Sequence, residues 1–284
     1  MPNKMKKRRT KAEIEELKKK IYEILENFHP ESTRQGFYQM SNAGCIPKTE
    51  AAYQGVVVRL CGQMREDGEL PWDWITDSTR WMRKPRSYSS LNEALENTKA
   101  AYRRALWDDQ AVYVEIWIEK EALASIFYAV TAEWDVPLMV VKGFTSKAFA
   151  HSAAEAIDAI GKPAFLYYFG DWDPSGLWVW KDVQAKIRRY APKADVTFER
   201  VAVTQQQIAD YKLPTRPTKR KGNSHAKNFS GNSVEVDALP PVTLQDLVRD
   251  CIERHIDKRQ LAITKAAEAS EREALDMFVR KAIR

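Results

Sequence analysis

Ala164-Phe-Leu-Tyr-Tyr-Phe169 runs directly into Gly170-Asp-Trp-Asp-Pro-Ser-Gly176. The first six residues are apolar or aromatic and read as a β-strand. The next seven read as a turn and a helix start, where Asp and Ser cap and Pro suits the first turn. Asp171 and Asp173 therefore stand just beyond a strand end. Acids there cost folding energy if buried unpaired. A divalent cation removes that cost and suits oxygen ligands. Taken singly, Asp173-Pro-Ser-Gly176 has a plainer reading as a helix cap.

Upstream, Val112-Tyr-Val-Glu-Ile-Trp-Ile118 has the same β-like character and ends at Glu119. Between and beyond these runs the pattern alternates. Strand 112–118 precedes helix 121–132, strand 137–141 precedes helix 146–160, strand 165–169 precedes helix 175–190, and strand 196–202 follows. Such alternation predicts an α/β fold with a parallel sheet covered by helices on both faces. Functional groups in such sheets gather beyond the carboxyl ends of the strands. Glu119, Gly143, Asp171 and Asp173 all fall there. Glu119-Lys-Glu121 alone could merely serve a helix dipole.

The N-terminal third is helical. Thr10-Lys-Ala-Glu13 has capping-box spacing, and Ile14, Leu17, Ile21, Ile24, Leu25 and Phe28 recur on one face up to Pro30. A short second helix carries Arg34, Phe37 and Tyr38. A third opens at Thr49 with Tyr53, Val56, Val57, Leu60 and Met64 on its apolar face and Arg59 and Arg65 off it. Glu69 to Thr76 reads as a β-wing. Three helices and a wing outline a winged-helix module, which lays one helix in a DNA groove. The alternative is a plain helical subdomain with a hairpin. A bridging helix is expected over Leu91 to Leu106.

The chain has 284 residues, 44% hydrophobic and 30% charged, which allows two modest domains or one with an appendage. No apolar stretch approaches a membrane span. The basic start (Lys4, Lys6, Lys7, Arg8, Arg9) lacks the apolar core of a secretory signal and reads as a solvated tail. Cys45, Cys61 and Cys251 are odd in number and widely spaced, fitting reduced thiols in a cytoplasmic protein. The formal net charge of +6 permits a polyanionic partner. Tyr211 to Ser233 is a cationic loop bearing Lys212, Arg216, Lys219, Arg220, Lys221 and Lys227. It is either a solvated linker or a phosphate-binding loop. Ser233 to Leu239 reads as a short strand, and Thr243 to Arg284 as helix with Leu244, Leu247, Val248, Ile252 and Ile256 on one face. That face can cover the sheet or a partner. These readings divide the chain into 1–108, 109–203 and 204–284.

The strand-Glu, strand-Asp-x-Asp arrangement resembles the Toprim domain of topoisomerases, primases and certain nucleases. Ile118-Glu-Lys-Glu-Ala122, Val141-Lys-Gly143 and Gly170-Asp-Trp-Asp-Pro-Ser-Gly176 look like the corresponding segments of the topoisomerase VI A subunit and its meiotic double-strand-break relative. The resemblance spans Tyr113 to Asp182. It implies Mg²⁺, with Mn²⁺ as a substitute, held by Glu119, Asp171 and Asp173. It also implies a winged-helix domain before the Toprim domain. Arg34-Gln-Gly-Phe-Tyr38 is similar to that family's tyrosine motif. By resemblance, Tyr38 is the nucleophile, Arg34 its phosphate-stabilising neighbour and Glu119 a further catalytic residue. From the residues alone, Tyr38 can equally be a helix aromatic packed beside Phe37.

The implied activity is Mg²⁺-dependent cleavage of double-stranded DNA through a 5′-phosphotyrosine. The implied assembly is a homodimer in which each tyrosine works at the partner's metal site. Strand passage would need a separate ATPase subunit, since no Gly-rich nucleotide-binding loop is present. Candidate DNA contacts are Lys48, Arg59, Arg65, Lys142, Arg216, Lys219, Arg220 and Lys221. A hydrolytic Toprim nuclease without a tyrosine intermediate and a non-catalytic DNA-binding protein are the alternatives. The chain departs from the family in several ways. It is shorter than the archaeal A subunits, and Trp72 to Arg104 has no counterpart. The cationic loop and Val234-Glu-Val-Asp-Ala-Leu-Pro-Pro241 look more like small stand-alone relatives from bacteria, phages and mobile elements. Glu235 and Asp237 are either a second cation site or strand residues on a solvated face.

Overall fold

The computed structural model describes residues 9–75, 85–218, 226 and 229–282. Four parallel strands form the centre: β1 (Tyr113–Ile118), β2 (Leu138–Val140), β3 (Ala164–Phe169) and β4 (Val196–Ala202), in the order β2-β1-β3-β4. The chain goes from β1 outward to β2 and returns across β1 to β3. The switch point therefore lies between the carboxyl ends of β1 and β3, where ligands bind in open α/β sheets.

Both faces of the sheet are covered. Val114, Ile116, Ile118, Tyr167 and Phe169 pack with Phe127 and Val130 of α6 (Ala124–Thr131) and with Leu244, Val248 and Ile252 of α10 (Pro241–Glu253). Trp117, Leu166 and Tyr168 point the other way. They pack with Ala153, Ala154 and Ile157 of α7 (Lys147–Ile160) and Val179, Val183 and Ile187 of α8 (Pro174–Tyr190). Alternate residues of one strand thus feed two cores, which is why the strands read as nearly continuous apolar runs. The C-terminal helical face covers the sheet through α10. The longer α11 (Lys258–Ala282) packs against α5 (Leu91–Ala101).

The N-terminal unit has its own core. It comprises α1 (Lys11–Phe28), α2 (Thr33–Asn42), α3 (Glu50–Ala52), a π-helical stretch (Tyr53–Val58) and α4 (Arg59–Glu66). Capping boxes at Thr10 and at Ser32 start α1 and α2. The expected wing is absent among the described residues. Trp72–Trp74 forms a 3-10 turn, and Ile75 makes only an isolated bridge to Glu31. Thr76 lies outside the described residues. The reason is local. Arg65 donates to the carbonyls of Trp72 and Ile75, Trp74 stacks on His29 at 4.5 Å, and the Glu31 amide donates to Trp74 O. These contacts fold the segment back onto α1 and α2.

Two further expectations are corrected. The bridging helix stops at Ala101, because Tyr102 and Arg104 turn to meet Glu268, Glu271 and Arg272 of α11. Ser233 to Leu239 is no regular strand. Ser233 and Val234 make isolated bridges to Arg216 and Trp172, and Val236–Ala238 is a 3-10 turn. A short helix, α9 (Gln205–Asp210), lies where no helix was expected. Among the described residues, no helix is long and apolar enough to cross a membrane.

Candidate functional site

Glu119 follows β1 and its carboxylate turns toward the end of β3. Its Oε2 accepts from the Asp171 amide at 3.0 Å and from the Tyr168 hydroxyl at 3.1 Å. Two glycines make room for it. A Cβ on Gly170 would stand 2.5 Å from that oxygen, and one on Gly176 would stand 2.9 Å from it. The Gly-Asp-Trp-Asp-Pro-Ser-Gly sequence therefore serves a close approach as well as a turn. Burial pushes the Glu119 carboxyl above its ordinary range, and the charges of Asp171 and Asp173 push the same way. The Asp171 amide and Tyr168 hydroxyl oppose this only in part.

The two aspartates already have protein partners. Asp173 caps α8, its Oδ1 accepting from the Gly176 amide at 2.8 Å. Asp171 is buried, accepts from the Val236 amide at 2.9 Å and pairs with Lys120 Nζ at 3.0 Å. The plainer reading of Asp173 as a cap is thus realised. Its other carboxylate oxygen is not consumed by the cap bond.

Among the described residues, no group of three or more carboxylate, imidazole or thiol side chains is arranged around a shared ion. What the structure brings together is a crowded acid, Glu119, with two aspartates raising its proton affinity and a glycine-lined recess at its oxygen. Hard oxygen donors and like charge only partly offset by Lys120 fit a Mg²⁺-type ion, which takes one or two protein carboxylates and fills its sphere with water and phosphate. The residues fit that arrangement rather than a closed three-acid cage.

Arg200 was not singled out from the sequence. It sits on β4, and its guanidinium donates to the carbonyls of Gly170 at 2.7 Å and Asp171 at 2.5 Å, and to Val203 O at 3.1 Å. Burial lowers its proton affinity, while Tyr168, Glu119, Asp171 and Asp173 raise it. Its Nη1 is buried without a hydrogen-bond partner. Arg200 clamps the acid-bearing loop and adds positive charge behind it. An arginine within Thr197-Phe-Glu-Arg-Val201 carries no local sign of this.

Glu235 and Asp237 are not on a solvated face. The Trp172 amide donates to Val234 O at 2.8 Å, which draws the 233–237 segment alongside the acid loop. Glu235 pairs with Lys48 at 3.2 Å, with Lys120 at 3.5 Å and with Arg216. Asp237 is 7% exposed, with Lys120 Nζ 3.4 Å from its Oδ1. Burial alone would raise Glu235, but Lys120, Lys48 and Arg216 outweigh it and hold the carboxyl low. Burial wins at Asp237, which is raised despite Lys120. Lys120 would be lowered by burial, but Asp237, Asp171 and Glu235 keep it firmly charged.

Tyr38 adjoins this cluster within the same chain. Lys48 Nζ lies 4.9 Å and Lys120 Nζ 5.9 Å from its ring centre, and Phe37 packs against it at 5.4 Å. Burial, then Asp237, pushes its phenol up to about 12. Arg34 is one turn earlier on α2, pairs with Glu50 at 2.8 Å and lies 3.7 Å over the Tyr53 ring. Arg34, Tyr38, Lys48, Arg216 and Glu235 line one groove of about 470 Å³.

The other candidate DNA contacts are scattered. Arg59 is exposed on α4, its Nε donating to Gly55 O. Lys142 is exposed beyond β2 and pairs with Glu121 at 2.6 Å. Arg65 is turned inward onto the Trp72 and Ile75 carbonyls, so it is a structural residue. Lys219, Arg220 and Lys221 lie outside the described residues. No protein-family model matches the chain, and no curated protein sequence matches it.

Proposed function

We propose that this protein cleaves DNA with the help of a divalent cation, using Tyr38 as nucleophile. In this reading the parallel sheet is a Toprim-like domain and residues 1–108 are a helical DNA-binding domain. The observation that supports it is Glu119 at the end of β1, its carboxylate accepting from the Asp171 amide and its proton affinity raised by Asp171 and Asp173, with Tyr38 beside the adjoining Lys120. Glu119, with one of the two aspartates, would hold Mg²⁺ or Mn²⁺. When bound, such an ion polarises a phosphodiester and stabilises charge developing on its oxygens.

The chain's own residues supply the rest. The groove lined by Arg34, Lys48 and Arg216 takes the negatively charged strand, and these cations exchange Glu50 and Glu235 for phosphate oxygens. Lys120 stays charged beside Tyr38 and favours electron density on its oxygen. As the Tyr38 oxygen bonds to phosphorus, its proton passes to solvent water, the bond to the 3′-oxygen breaks and that oxygen takes a proton from solvent. The product is a 5′-phosphotyrosine. Arg200 holds the acid loop in register through the Gly170 and Asp171 carbonyls.

One observation favours a second reading. The half-buried phenol, held at about 12, resists ionisation, so a metal-activated water could attack in its place. The test is supercoiled plasmid incubated with Mg²⁺ or Mn²⁺, then denatured with and without protease. The tyrosine reading expects protein-linked ends from wild type and none from Tyr38→Phe. Cutting that persists in Tyr38→Phe without linked DNA establishes the hydrolytic reading.

The family resemblance adds a homodimer and a separate ATPase subunit to the proposal, and the three unpaired cysteines add a cytoplasmic setting. Lys120 links the two in one chain, pairing with Asp171 and lying 5.9 Å from the Tyr38 ring centre, which is compatible with cleavage within one chain. Mixing Tyr38→Phe with Glu119→Gln chains separates the cases: restored cutting establishes action across a dimer, and continued inactivity establishes action within the chain.

A further inference from the structure

Glu235 gathers three cations from separate parts of the chain: Lys48 of the N-terminal unit at 3.2 Å, Lys120 beyond β1 at 3.5 Å, and Arg216. The backbone presets its carboxylate. Ser233 exchanges two hydrogen bonds with Arg216, Val234 exchanges two with Trp172, and the Val236 amide donates to Asp171. The Glu235 side chain is 11% exposed, but those of Lys48 and Arg216 are 38% and 51% exposed and line the groove of about 470 Å³ beside Tyr38. An anion in the groove therefore meets two of the three cations directly. Arg34, the remaining cation of the groove, pairs with Glu50, which also lines it. The groove is thus neutralised from within, because each cation along it already holds a carboxylate.

We propose that Glu235 is a built-in competitor for phosphate, which closes this groove to single phosphate groups and admits a chain of them. The inference rests on the reading of the groove as the path of a DNA strand and concerns its selectivity. A carboxylate tethered beside its partners acts at an effective concentration in the millimolar range, so a lone phosphate in solution competes poorly. A strand presents successive phosphates and gains from each counterion it releases. Its oxygens take over the Arg216 fork and the Lys48 ammonium by charge-assisted hydrogen bonds. Only the Glu235 side chain turns aside, since backbone bonds hold 233–236 in place. Lys120 stays with Asp171 and Asp237. Burial favours the neutral acid at Glu235, but Lys120, Lys48 and Arg216 outweigh it and hold the carboxyl below its ordinary range. Mild acid therefore does not release it, whereas another anion does.

The test is fluorescence anisotropy of a short labelled duplex, in chelator and at low salt, with parallel calorimetry of inorganic phosphate. Wild type is compared with Glu235→Gln and Glu199→Gln. Glu199 carries the same charge and also pairs with an arginine, Arg254, at 3.1 Å, but does not line the groove. Freeing two partly exposed ion pairs tightens duplex binding by Glu235→Gln at least about fivefold, and lets it bind phosphate that wild type does not. Glu199→Gln matches wild type, and Arg216→Ala added to Glu235→Gln removes the gain. Glu235→Asp keeps the charge and draws the carboxylate back by one methylene; it decides in place of Glu235→Gln if melting shows the latter unfolded. A gain in either format, absent from Glu199→Gln, upholds the proposal. A gain in neither, or an equal gain in Glu199→Gln, overturns it, and duplex binding by wild type in that case leaves the DNA reading standing. A gain for phosphate with no duplex binding in any of the proteins upholds the competitor and removes the DNA reading.

Discussion

Gly170→Ala tests how the site is built. The added methyl would stand 2.5 Å from Glu119 Oε2 and 2.6 Å from both Cε1 and the hydroxyl of Tyr168. Neither neighbour yields easily. Tyr168 is fully buried and stacks on Trp180 at 4.6 Å, while Glu119 is held by the Tyr168 hydroxyl and the Asp171 amide. Overpacking of this kind costs about 1–3 kcal/mol. Displacing Glu119 also forfeits two hydrogen bonds, worth about 1 kcal/mol each. A total near 4 kcal/mol lowers Tm by about 8–16 °C, at 2–4 °C per kcal/mol for larger domains. Gly62→Ala is the matched control. Gly62 lies in α4 with nothing within 4 Å of an added Cβ, so Ala there stabilises by about 0.5–1 kcal/mol. Thermal melting followed by circular dichroism reads both. A Gly170→Ala protein melting with wild type, or no better tolerated Gly62→Ala, refutes the claim that glycine is required by the approach of Glu119.

Three other outcomes follow from named contacts. Glu31 is wholly buried, accepts one bond from Gln39, and is raised by burial from 4.5 to about 8. A raised carboxyl binds more protons folded than unfolded, so stability is lost as pH rises from 4.5 toward 8, by about 3–5 kcal/mol at the upper end. Glu31→Gln removes that decline, and urea unfolding at pH 5 and pH 8 measures it; equal slopes in both proteins contradict the assignment. Asp173→Ser keeps a helix cap while Asp173→Ala loses one, so melting separates them by about 1 kcal/mol, whereas Mn²⁺ affinity, read by calorimetry, falls equally in both if the carboxylate is a ligand. Lys120→Met leaves Asp171 and Asp237 without their cation, while Glu235 keeps Lys48 and Arg216, and destabilises by about 3–5 kcal/mol, read from urea midpoints; an unchanged midpoint refutes the central role of Lys120.

The parallel sheet was legible because β1, β2 and β3 are largely apolar runs and each is followed by a helical period. The end positions of Glu119, Asp171 and Asp173 followed from the same alternation. What was not legible depends on contacts distant in sequence. Arg200 reaches the acid loop only through the pairing of β4 with β3. Glu235 and Asp237 look like solvated strand residues until Trp172 captures Val234 and carries them under α2. The wing looked plausible because Trp and Ile favour strands, but Arg65 takes the carbonyls a partner strand would need. The end of α5 at Ala101 is likewise set by α11, about 170 residues away.

The central claim is that the Glu119 carboxylate at the switch point supports metal-dependent strand cleavage. Its most direct test compares wild type with Glu119→Gln on supercoiled plasmid in Mg²⁺, in Mn²⁺ and in chelator. The account predicts nicked or linear product from wild type with either metal, none in chelator, and none from a folded Glu119→Gln protein. Cutting that Glu119→Gln leaves intact, or wild-type DNA that stays supercoiled in both metals, contradicts it.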